Sequence, residues 1–248
     1  MSDKKITVIN GVTGNIGSEL ARLICRRGGS VIGIGRDAIK LNILKSELAD
    51  FIPHAIGDVS EPSEALNFQR TQLPKYDKRV TSYIHLAGNF KREADPLTES
   101  IDLWNNTIST NLTGTYIWNK MLIDYFSKLE IPGSLVNTSS QAAYTGGFGP
   151  NFSYAASKGG IISLTKSFSR YAAQFNVRVN VVVPGFVENE MMLEGLSQIQ
   201  KEFFEQKTSM KRFATDIEIA KACMYLSSED SSYSTGIVLD VSGGLLDV

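Results

Sequence analysis

Seven short apolar runs recur along the chain, and segments long enough to form helices separate them. The runs cover residues 6–9, 31–34, 51–56, 80–86, 134–137, 177–183 and 237–241. Parallel strands covered on both faces have such near-continuous apolar sequences, and crossover helices must join them. The alternation therefore predicts an α/β fold: a Rossmann-like, doubly wound, seven-stranded parallel sheet with helices on both faces.

The evenness of this pattern predicts one domain. The 248 residues contain no internal repeat, linker or low-complexity tract, and a chain of this length can bury a large core. The least regular stretch, at about 188–211, interrupts the alternation between the sixth strand and the last helix. We interpret it as a substrate lid within a single nucleotide-binding domain that spans residues 1–248.

Charge and hydropathy exclude several classes of function. A net charge of -1 gives no electrostatic basis for binding nucleic acid or a membrane surface. No apolar run is long enough to span a bilayer. The first residues lead directly into a strand and lack the features of a signal peptide, so we expect the protein to be cytoplasmic.

No metal site is predicted. Cys25 and Cys223 each lie in an apolar helical pattern, which favours two small core residues over a disulfide or a thiol site. Only His54 and His85 remain besides them, and these four side chains offer no cluster of metal ligands.

A glycine-rich turn follows the first apolar run, with Gly11, Gly14 and Gly17 at regular spacing. Glycines allow a tight turn and a close approach of a pyrophosphate, while the N-terminus of the next helix offers free N–H groups to the phosphates. Thr13, Asn15 and Ile16 complete this turn. The pattern predicts a dinucleotide site, although an ordinary turn from strand to helix has a similar sequence.

The end of the second run bears on the choice of cofactor. A nucleotide-binding sheet places the residue that contacts the adenosine ribose here, and the sequence is Gly35-Arg36. Gly35 supplies no carboxylate for a free 2′-hydroxyl, whereas Arg36 could bind a 2′-phosphate. This favours NADP(H) over NAD(H). The alternative is that Arg36 is a surface residue that serves only solubility, and the negative charge of Asp37 beside it opposes the binding of a phosphate.

A serine, a tyrosine and a lysine stand in the order expected of a carbonyl-reducing site. Ser140 ends the fifth apolar run, and a glycine-rich loop leads from it to Tyr154 and Lys158, which share one helix face four residues apart. Tyr116 and Lys120 have the same spacing but lack that context. Taken singly, Tyr154 could be a packing aromatic and Ser140 a loop cap.

In these motifs the chain resembles the short-chain dehydrogenase/reductase family, in particular its shorter members such as 3-oxoacyl-carrier-protein reductases, along nearly its whole length. The matching residues are Gly11, Gly17, Asp58, Val59, Ala87, Gly88, Asn111, Ser140, Tyr154, Lys158, Pro184 and Gly185, and the closing segment 235–244 also matches. The resemblance implies a catalytic set of Asn111, Ser140, Tyr154 and Lys158.

The resemblance also implies what these residues do. Tyr154 would exchange the proton, with its anion favoured by the neighbouring ammonium and by oxidised nicotinamide. Lys158 would hold the nicotinamide ribose, Ser140 the substrate oxygen, and Asn111 a relay water unless it only bridges a helix kink. Cofactor contacts are expected from Gly11, Thr13, Asn15, Ile16, Gly17, Arg36, Asp58, Val59, Ala87, Gly88, Asn111, Tyr154, Lys158, Pro184, Gly185, Val187 and Asn189.

The sequence departs from the family pattern in the turn and after two strands. Asn10 replaces a threonine and Asn15 a glycine in the turn, and we expect Asn15 to tolerate a positive φ. His85 and Leu86 precede Ala87 where an asparagine is usual. Asn189 replaces a threonine and could still donate to the carboxamide.

Two hypotheses of different class remain. The first is an NADP(H)-dependent oxidoreductase acting on a ketone or secondary alcohol, and the second is a catalytically silent nucleotide sensor or scaffold. Aromatic and aliphatic residues before the catalytic helix and in the lid suggest an apolar substrate or subunit contacts: Tyr144, Phe148, Phe152, Met191, Met192, Leu193, Leu196, Phe203 and Phe204. Lys91 and Arg92 could attract an anion or simply be solvated. The resemblance implies a homotetramer built from the helices at 103–129 and 154–174 and from the apolar C-terminus.

Overall fold

The computed structural model describes residues 4–91, 96–147, 151–193 and 196–246. The interpretations of Arg92, Phe148 and the last two residues lie outside this part of the chain, as does that of the Met191 side chain. Every statement below concerns the described residues.

Seven strands alternate with helices in the described chain. The strands are β1 (Ile6–Asn10), β2 (Ser30–Gly35), β3 (Phe51–Ala55), β4 (Val80–His85), β5 (Gly133–Thr138), β6 (Val177–Pro184) and β7 (Val238–Val241). The helices are α1 (Asn15–Arg26), α2 (Ala38–Glu47), α3 (Pro62–Thr71), α4 (Ile101–Ile108), α5 (Gly114–Leu129), α6 (Ala142–Thr145), α7 (Phe152–Ala172), α8 (Glu190–Leu193), α9 (Gln198–Lys207) and α10 (Asp216–Ser227). Each predicted apolar run forms a strand with bounds close to those expected.

The strands form one parallel sheet in the order β3-β2-β1-β4-β5-β6-β7. The order reverses between β1 and β4, so the loops that follow these two strands diverge and leave a crevice at the carboxyl edge of the sheet. In the register, Asn10 at the end of β1 pairs with His85 at the end of β4, and His85 pairs with Asn137 of β5.

Helices cover both faces of the sheet, as predicted. One core cluster includes Phe68 of α3 and Trp118 and Phe126 of α5, while the other joins α1, α2 and α10 to the opposite face. The buried residues of α1 lie at 17, 20, 21 and 24, the i, i+3, i+4, i+7 spacing of an amphipathic helix. The fold is therefore the doubly wound α/β architecture.

The segment interpreted as a lid contains two short helices, α8 and α9. A capping box between Ser197 and Gln200 begins α9. Phe204 of α9 packs with Phe186 and Phe213 in a third, small core cluster. A single parallel bridge between Val187 and Ala214 closes the base of the segment.

The remaining composition-based expectations concern single residues. Cys223 is buried and Cys25 is partly buried against the same core cluster, and both are free thiols. In the described ranges no three potential metal-binding side chains come together. None of the helices described here combines the length and apolar character needed to cross a membrane.

Candidate active site

A cleft of about 410 Å³ opens at the carboxyl edge of the sheet. Thirteen of the residues predicted from the sequence line it together: Gly11, Thr13, Asn15, Ile16, Gly17, Gly88, Ser140, Tyr154, Lys158, Pro184, Gly185, Val187 and Asn189. Residues from the ends of β1, β4, β5 and β6 thus converge with the first turn of α7. The predicted nucleotide turn and three of the four predicted catalytic residues, Ser140, Tyr154 and Lys158, belong to one cavity, whereas Asn111 does not line it.

The glycine turn has the shape that a pyrophosphate requires. Gly11 has a φ of +84°, and a Cβ there would lie 2.4 Å from the backbone nitrogen of Ala87. A Cβ at Gly17 would lie 2.4 Å from the carbonyl oxygen of Gly11, so α1 could not pack as closely. No side chain caps the N-terminus of α1 at Gly14, which leaves its N–H groups facing the cleft. These residues fit a dinucleotide.

Asn15 does not adopt the positive φ that we expected it to tolerate. Positive φ values at non-glycine residues occur at Glu130, Asn176 and Lys211 in the described chain, whereas Asn15 is the first residue of α1. Its side chain lines the cleft at a helix N-terminus. The positive φ of the turn is at Gly11, and the glycines that shape it are Gly11, Gly14 and Gly17.

Arg36 follows β2 at the rim of the site, exposed and outside the cleft lining. A Cβ at the preceding Gly35 would lie 2.7 Å from Cγ2 of Thr13, so a larger residue here would require Thr13 to move. The carboxylate of Asp37 accepts a hydrogen bond from the backbone N–H of Lys40 at 3.0 Å and caps α2. Lys40 itself lines the cleft, and the sequence interpretation did not include this second cation.

Three other predicted cofactor residues do not line the cleft: Asp58 is exposed, Ala87 is partly buried and Val59 is buried. Asp58 accepts hydrogen bonds from the backbone and hydroxyl of Ser60, both at 2.8 Å. Val59 is buried, and its carbonyl accepts a hydrogen bond from the indole of Trp118. Ala87 supports the turn through its backbone contact with Gly11.

Tyr154 lies among Ser140, Lys158 and Phe90. The Ser140 hydroxyl hydrogen-bonds the phenol, the Lys158 ammonium lies 5.5 Å from the ring centroid, and the Phe90 ring packs edge-on at 5.0 Å. Burial raises the pKa of Tyr154, and the bond to Ser140 offsets part of that rise. The sequence expectation of a favoured anion counts the charge of oxidised nicotinamide together with the ammonium; among the protein groups alone, burial outweighs the Ser140 hydroxyl and the pKa is raised.

Lys158 is almost completely buried and has a fixed position. Its Nζ donates a hydrogen bond to the carbonyl of Thr138 at 3.0 Å, at the end of β5. Burial lowers the pKa of Lys158 to about 8. A Cβ at Gly88 would lie 3.6 Å from this Nζ, an ordinary contact distance, and 3.1 Å from Oδ1 of Asn111.

Asn111 is fully buried in a π turn, Ser109–Thr113, between α4 and α5. Its side chain pairs with the backbone of Asn89, accepting from the N–H at 2.7 Å and donating to the carbonyl at 3.1 Å. The same amide donates to Ser157, which in turn donates to the carbonyl of Tyr154. π turns occur often at functional sites, and this one ties the loop after β4 to the tyrosine helix.

His85, the departure in the motif after β4, forms a buried pair with a tyrosine. Nδ1 of His85 lies 2.5 Å from the hydroxyl of Tyr83. Burial, and secondarily the charge of Lys158, lower the pKa of His85 to about 3, so it is neutral at neutral pH.

The second tyrosine–lysine pair is remote from the cleft. Tyr116 is 44% exposed on α5 and stacks on Phe168, with Lys120 5.9 Å above its ring. Tyr154 and Lys158, the pair that follows a strand ending in serines, line the cleft, and Tyr116 and Lys120 do not.

The apolar residues proposed to contact substrate divide into two groups. Met192 and Phe204 line the cleft, and Leu193 and Leu196 pack in the cluster below it. Tyr144, Phe152 and Phe203 are exposed. Lys91 is exposed, and its carbonyl accepts a hydrogen bond from Asn151.

Several cleft residues had no motif to identify them. Lys40, Asn89, Phe90, Gln141 and Asn151 line the cavity. Their places depend on which loops the sheet brings together. The available signal was that each lies within four residues of a predicted site residue, namely Arg36, Gly88, Ser140 or Tyr154.

The fold and this cleft define a dinucleotide-binding oxidoreductase, and comparison with known proteins agrees. Residues 11–246 match the family model described as enoyl-(acyl carrier protein) reductase. The chain belongs to the short-chain dehydrogenase/reductase family and is an NAD(P)-dependent oxidoreductase.

Relatives match over nearly the full chain. The 3-oxoacyl-(acyl-carrier-protein) reductase FabG of Thermotoga maritima is 31% identical, over 98% of each chain. The acetoacetyl-CoA reductase of an Acinetobacter species is 31% identical over 99% of each chain. Nodulation protein G of a Rhizobium species is 30% identical over 96% of this chain and 95% of its own.

Proposed function

We propose that the protein transfers a hydride between NADP(H) and a ketone or secondary alcohol, with Tyr154 as the acid–base group. The observation that supports this most is the meeting of Tyr154, Ser140 and Lys158 in the same cleft as the Gly11 turn. The names of two relatives make 3-oxoacyl thioesters the first substrates to test.

Each side chain has a role in this proposal. The nicotinamide supplies the hydride when the cofactor is bound. In the reductive direction, Tyr154 donates its proton to the substrate oxygen, and the Ser140 hydroxyl stabilises the charge that develops there. The raised pKa of Tyr154 keeps the phenol protonated at neutral pH, which suits proton donation. Lys158, held by Thr138, orients the ribose, and Asn111 positions a relay water.

The proposed preference for NADP(H) rests on two basic side chains, Arg36 and Lys40, and on the absence of a carboxylate at Gly35. Lys40 lines the cleft together with the turn, and Arg36 follows Gly35, which lies against Thr13 of the turn and supplies no carboxylate. Asp37 is engaged as a helix cap. Charge-assisted hydrogen bonds to a phosphate contribute about 1.5–3 kcal/mol each. Arg36→Ala should therefore remove most of the difference in affinity between NADPH and NADH.

Calorimetric titration with both cofactors tests this preference. The wild type should bind NADPH more tightly, and Arg36→Ala should weaken NADPH while leaving NADH nearly unchanged. Lys45→Ala, a lysine in the last turn of α2, is the matched control. Equal affinities in the wild type contradict the proposal.

Turnover is tested with NADPH oxidation. An acetoacetyl thioester should be reduced, and a crotonyl thioester serves as the enoyl counterpart suggested by the description of the family model. Reduction of the enoyl bond alone contradicts the proposed carbonyl chemistry.

A catalytically silent sensor or scaffold is the alternative function. Cofactor binding without turnover across ketones, 3-oxoacyl thioesters, steroids and sugars would favour it. A homotetramer and a cytoplasmic location remain further predictions of the proposal.

A further inference from the structure

The catalytic helix α7 has no acidic residue in its first turn. A carboxylate from elsewhere occupies its N-terminus instead. Glu99 accepts a hydrogen bond from the backbone N–H of Phe152 at 3.2 Å and from that of Ser153 at 3.2 and 3.3 Å. The Ser153 hydroxyl also donates to Glu99.

Tyr154 comes directly after the two residues held by Glu99. Its own backbone N–H donates to the Asn151 side chain at 2.9 Å. Two side chains thus satisfy three successive N–H groups, at residues 152, 153 and 154, which a helix N-terminus leaves without intrahelical partners. The backbone that carries the phenol is fixed from one side by Asn151 and from the other by Glu99.

Glu99 also links α7 to a second functional helix. The next residue, Ser100, caps α4 by accepting a hydrogen bond from the backbone N–H of Leu103 at 3.1 Å. The helix that begins there leads through the π turn to Asn111, whose amide donates to Ser157 of α7. Adjacent residues therefore cap α7, which carries Tyr154 and Lys158, and α4, which leads into the π turn that carries Asn111.

Burial and charge both strengthen the hydrogen bonds between Glu99 and the first turn of α7. Ser153 is completely buried, and removal of Glu99 takes the acceptor away from its backbone N–H, while its hydroxyl keeps a second acceptor in the Asn151 side chain at 3.4 Å. A negative charge at a helix N-terminus is also favoured by the helix dipole. Loss of the carboxylate lets the first turn of α7 relax, and Tyr154 moves with it.

We infer that Glu99 is a positioning residue that holds Tyr154 in the position required for proton transfer. This inference rests on the proposed role of Tyr154. Glu99 acts through the backbone of α7 and does not touch the reacting atoms. Its loss lowers kcat, while the cofactor turn at Gly11, on a different loop, keeps its affinity.

The test compares Glu99→Ala, Glu99→Gln and Asp102→Ala. Glu99→Ala should lower kcat about ten-fold, since small displacements of a reacting group have large kinetic costs, and should leave the dissociation constant of NADPH within two-fold. Glu99→Gln, which keeps one acceptor oxygen, should recover part of kcat. Asp102 is an exposed acid in the first turn of α4 and is the matched control, with wild-type kcat expected.

A double-mutant cycle identifies the route of the effect. Glu99→Ala added to Tyr154→Phe should cause no further loss, because a residue that acts only through Tyr154 has nothing left to position. Wild-type kcat in both Glu99 variants, or a loss fully additive with that of Tyr154→Phe, overturns the inference. If Glu99→Ala does not fold, Glu99→Gln and its double mutant decide by the same criteria. If Tyr154→Phe alone keeps the wild-type rate, the proposed function itself fails, and that outcome is distinct from the failure of Glu99.

Discussion

The environment of Tyr154 has opposing effects on the pKa of its phenol. Burial raises the pKa of its phenol and the Ser140 hydroxyl lowers it, while Lys158 has its own pKa lowered to about 8 by burial. At neutral pH the phenol retains its proton and the lysine is still largely charged. The pair is suited to deliver a proton and to orient a ribose at the same time.

If Tyr154 is the acid–base group, Tyr154→Phe should cut turnover by at least about 100-fold, the lower end of typical general-acid contributions. Cofactor affinity should be preserved, because the phenylalanine keeps the ring and its packing on Phe90. Steady-state kinetics and fluorescence titration measure the two effects. Tyr116→Phe is the control and should leave kcat unchanged, since Tyr116 lies outside the cleft. A near wild-type rate for Tyr154→Phe would refute the assignment.

Asn15 lies at the first position of α1, where charge has opposite effects on stability and on binding. Asn15→Asp is nearly isosteric and places a negative charge at a helix N-terminus, which favours the cofactor-free protein by about 0.3–1 kcal/mol. The same charge repels a pyrophosphate. We therefore expect a higher melting temperature without cofactor and a weaker affinity for NADPH.

Thermal denaturation and calorimetric titration of the same preparations check both signs for Asn15→Asp. Asn15→Gly serves as the uncharged control and should bind NADPH within a few-fold of the wild type. An Asn15→Asp protein that binds NADPH as tightly as the wild type would mean that the phosphates do not approach the start of α1.

The elements of this fold differ in how far the sequence specifies them. The strands were predictable because buried parallel strands are apolar on both faces, so their composition alone marks them. Helices α8 and α9 were not, because they are short and bury little surface, although the capping box at Ser197 was a usable signal for α9. The Glu99 contact was also unpredictable, since Glu99 and Ser153 are 54 residues apart and meet only through the fold.

The helix that follows the lid, α10, depends on a carboxylate with an unusual pKa. Glu218 accepts two hydrogen bonds from the Arg212 guanidinium, at 2.6 and 2.8 Å, and one from the backbone N–H of Thr215 at 2.8 Å. These contacts, the Arg212 hydrogen bond first, lower the pKa of Glu218 from 4.5 to about 2. The cap closes the C-terminal end of the segment that Val187 and Ala214 bridge.

A carboxylate with a lowered folded-state pKa stabilises the protein above its unfolded pKa, and this contribution is lost as the pH falls towards the folded value. Glu218→Gln should therefore lower the melting temperature at pH 7. The difference from the wild type should shrink between pH 4.5 and about 2. Melting curves over this range measure it, with Glu202→Gln on the exposed face of α9 as the control. A difference that is constant with pH contradicts this account of the cap.

At the scale of the whole molecule, the topology explains why the Gly11 turn and the residues around Tyr154 border the same cleft. The strand order reverses between β1 and β4, so the Gly11 turn and the loop at Gly88 border a crevice that helices do not fill. Ser140 and Pro184 reach it from the next two strands. The sequence could identify these residues singly through their motifs, but only the order of the strands brings them to the same edge.

Helices α4, α5 and α7 carry aromatic side chains that are exposed to solvent in the single chain. Trp104, Tyr116 and Tyr171 are 36%, 44% and 59% exposed, and they lie on the helices expected to pair in a homotetramer. Aromatic residues contribute much of the binding energy of subunit interfaces. An interface with two-fold symmetry buries each such residue twice, once on each subunit.

The protein should therefore have a mass four times that of the chain when measured by light scattering at micromolar concentration. Tyr171→Glu should shift this mass towards a dimer or monomer, because two-fold symmetry brings a buried charge into the interface from both subunits. Tyr233→Glu is the matched control: Tyr233 is fully exposed beyond the end of α10 and does not belong to α4, α5 or α7, and its substitution should leave the mass unchanged. A wild-type monomer would contradict the predicted tetramer. A tetramer that withstands Tyr171→Glu would instead place the interface on another face, and the exposed aromatic residues would then need a different explanation.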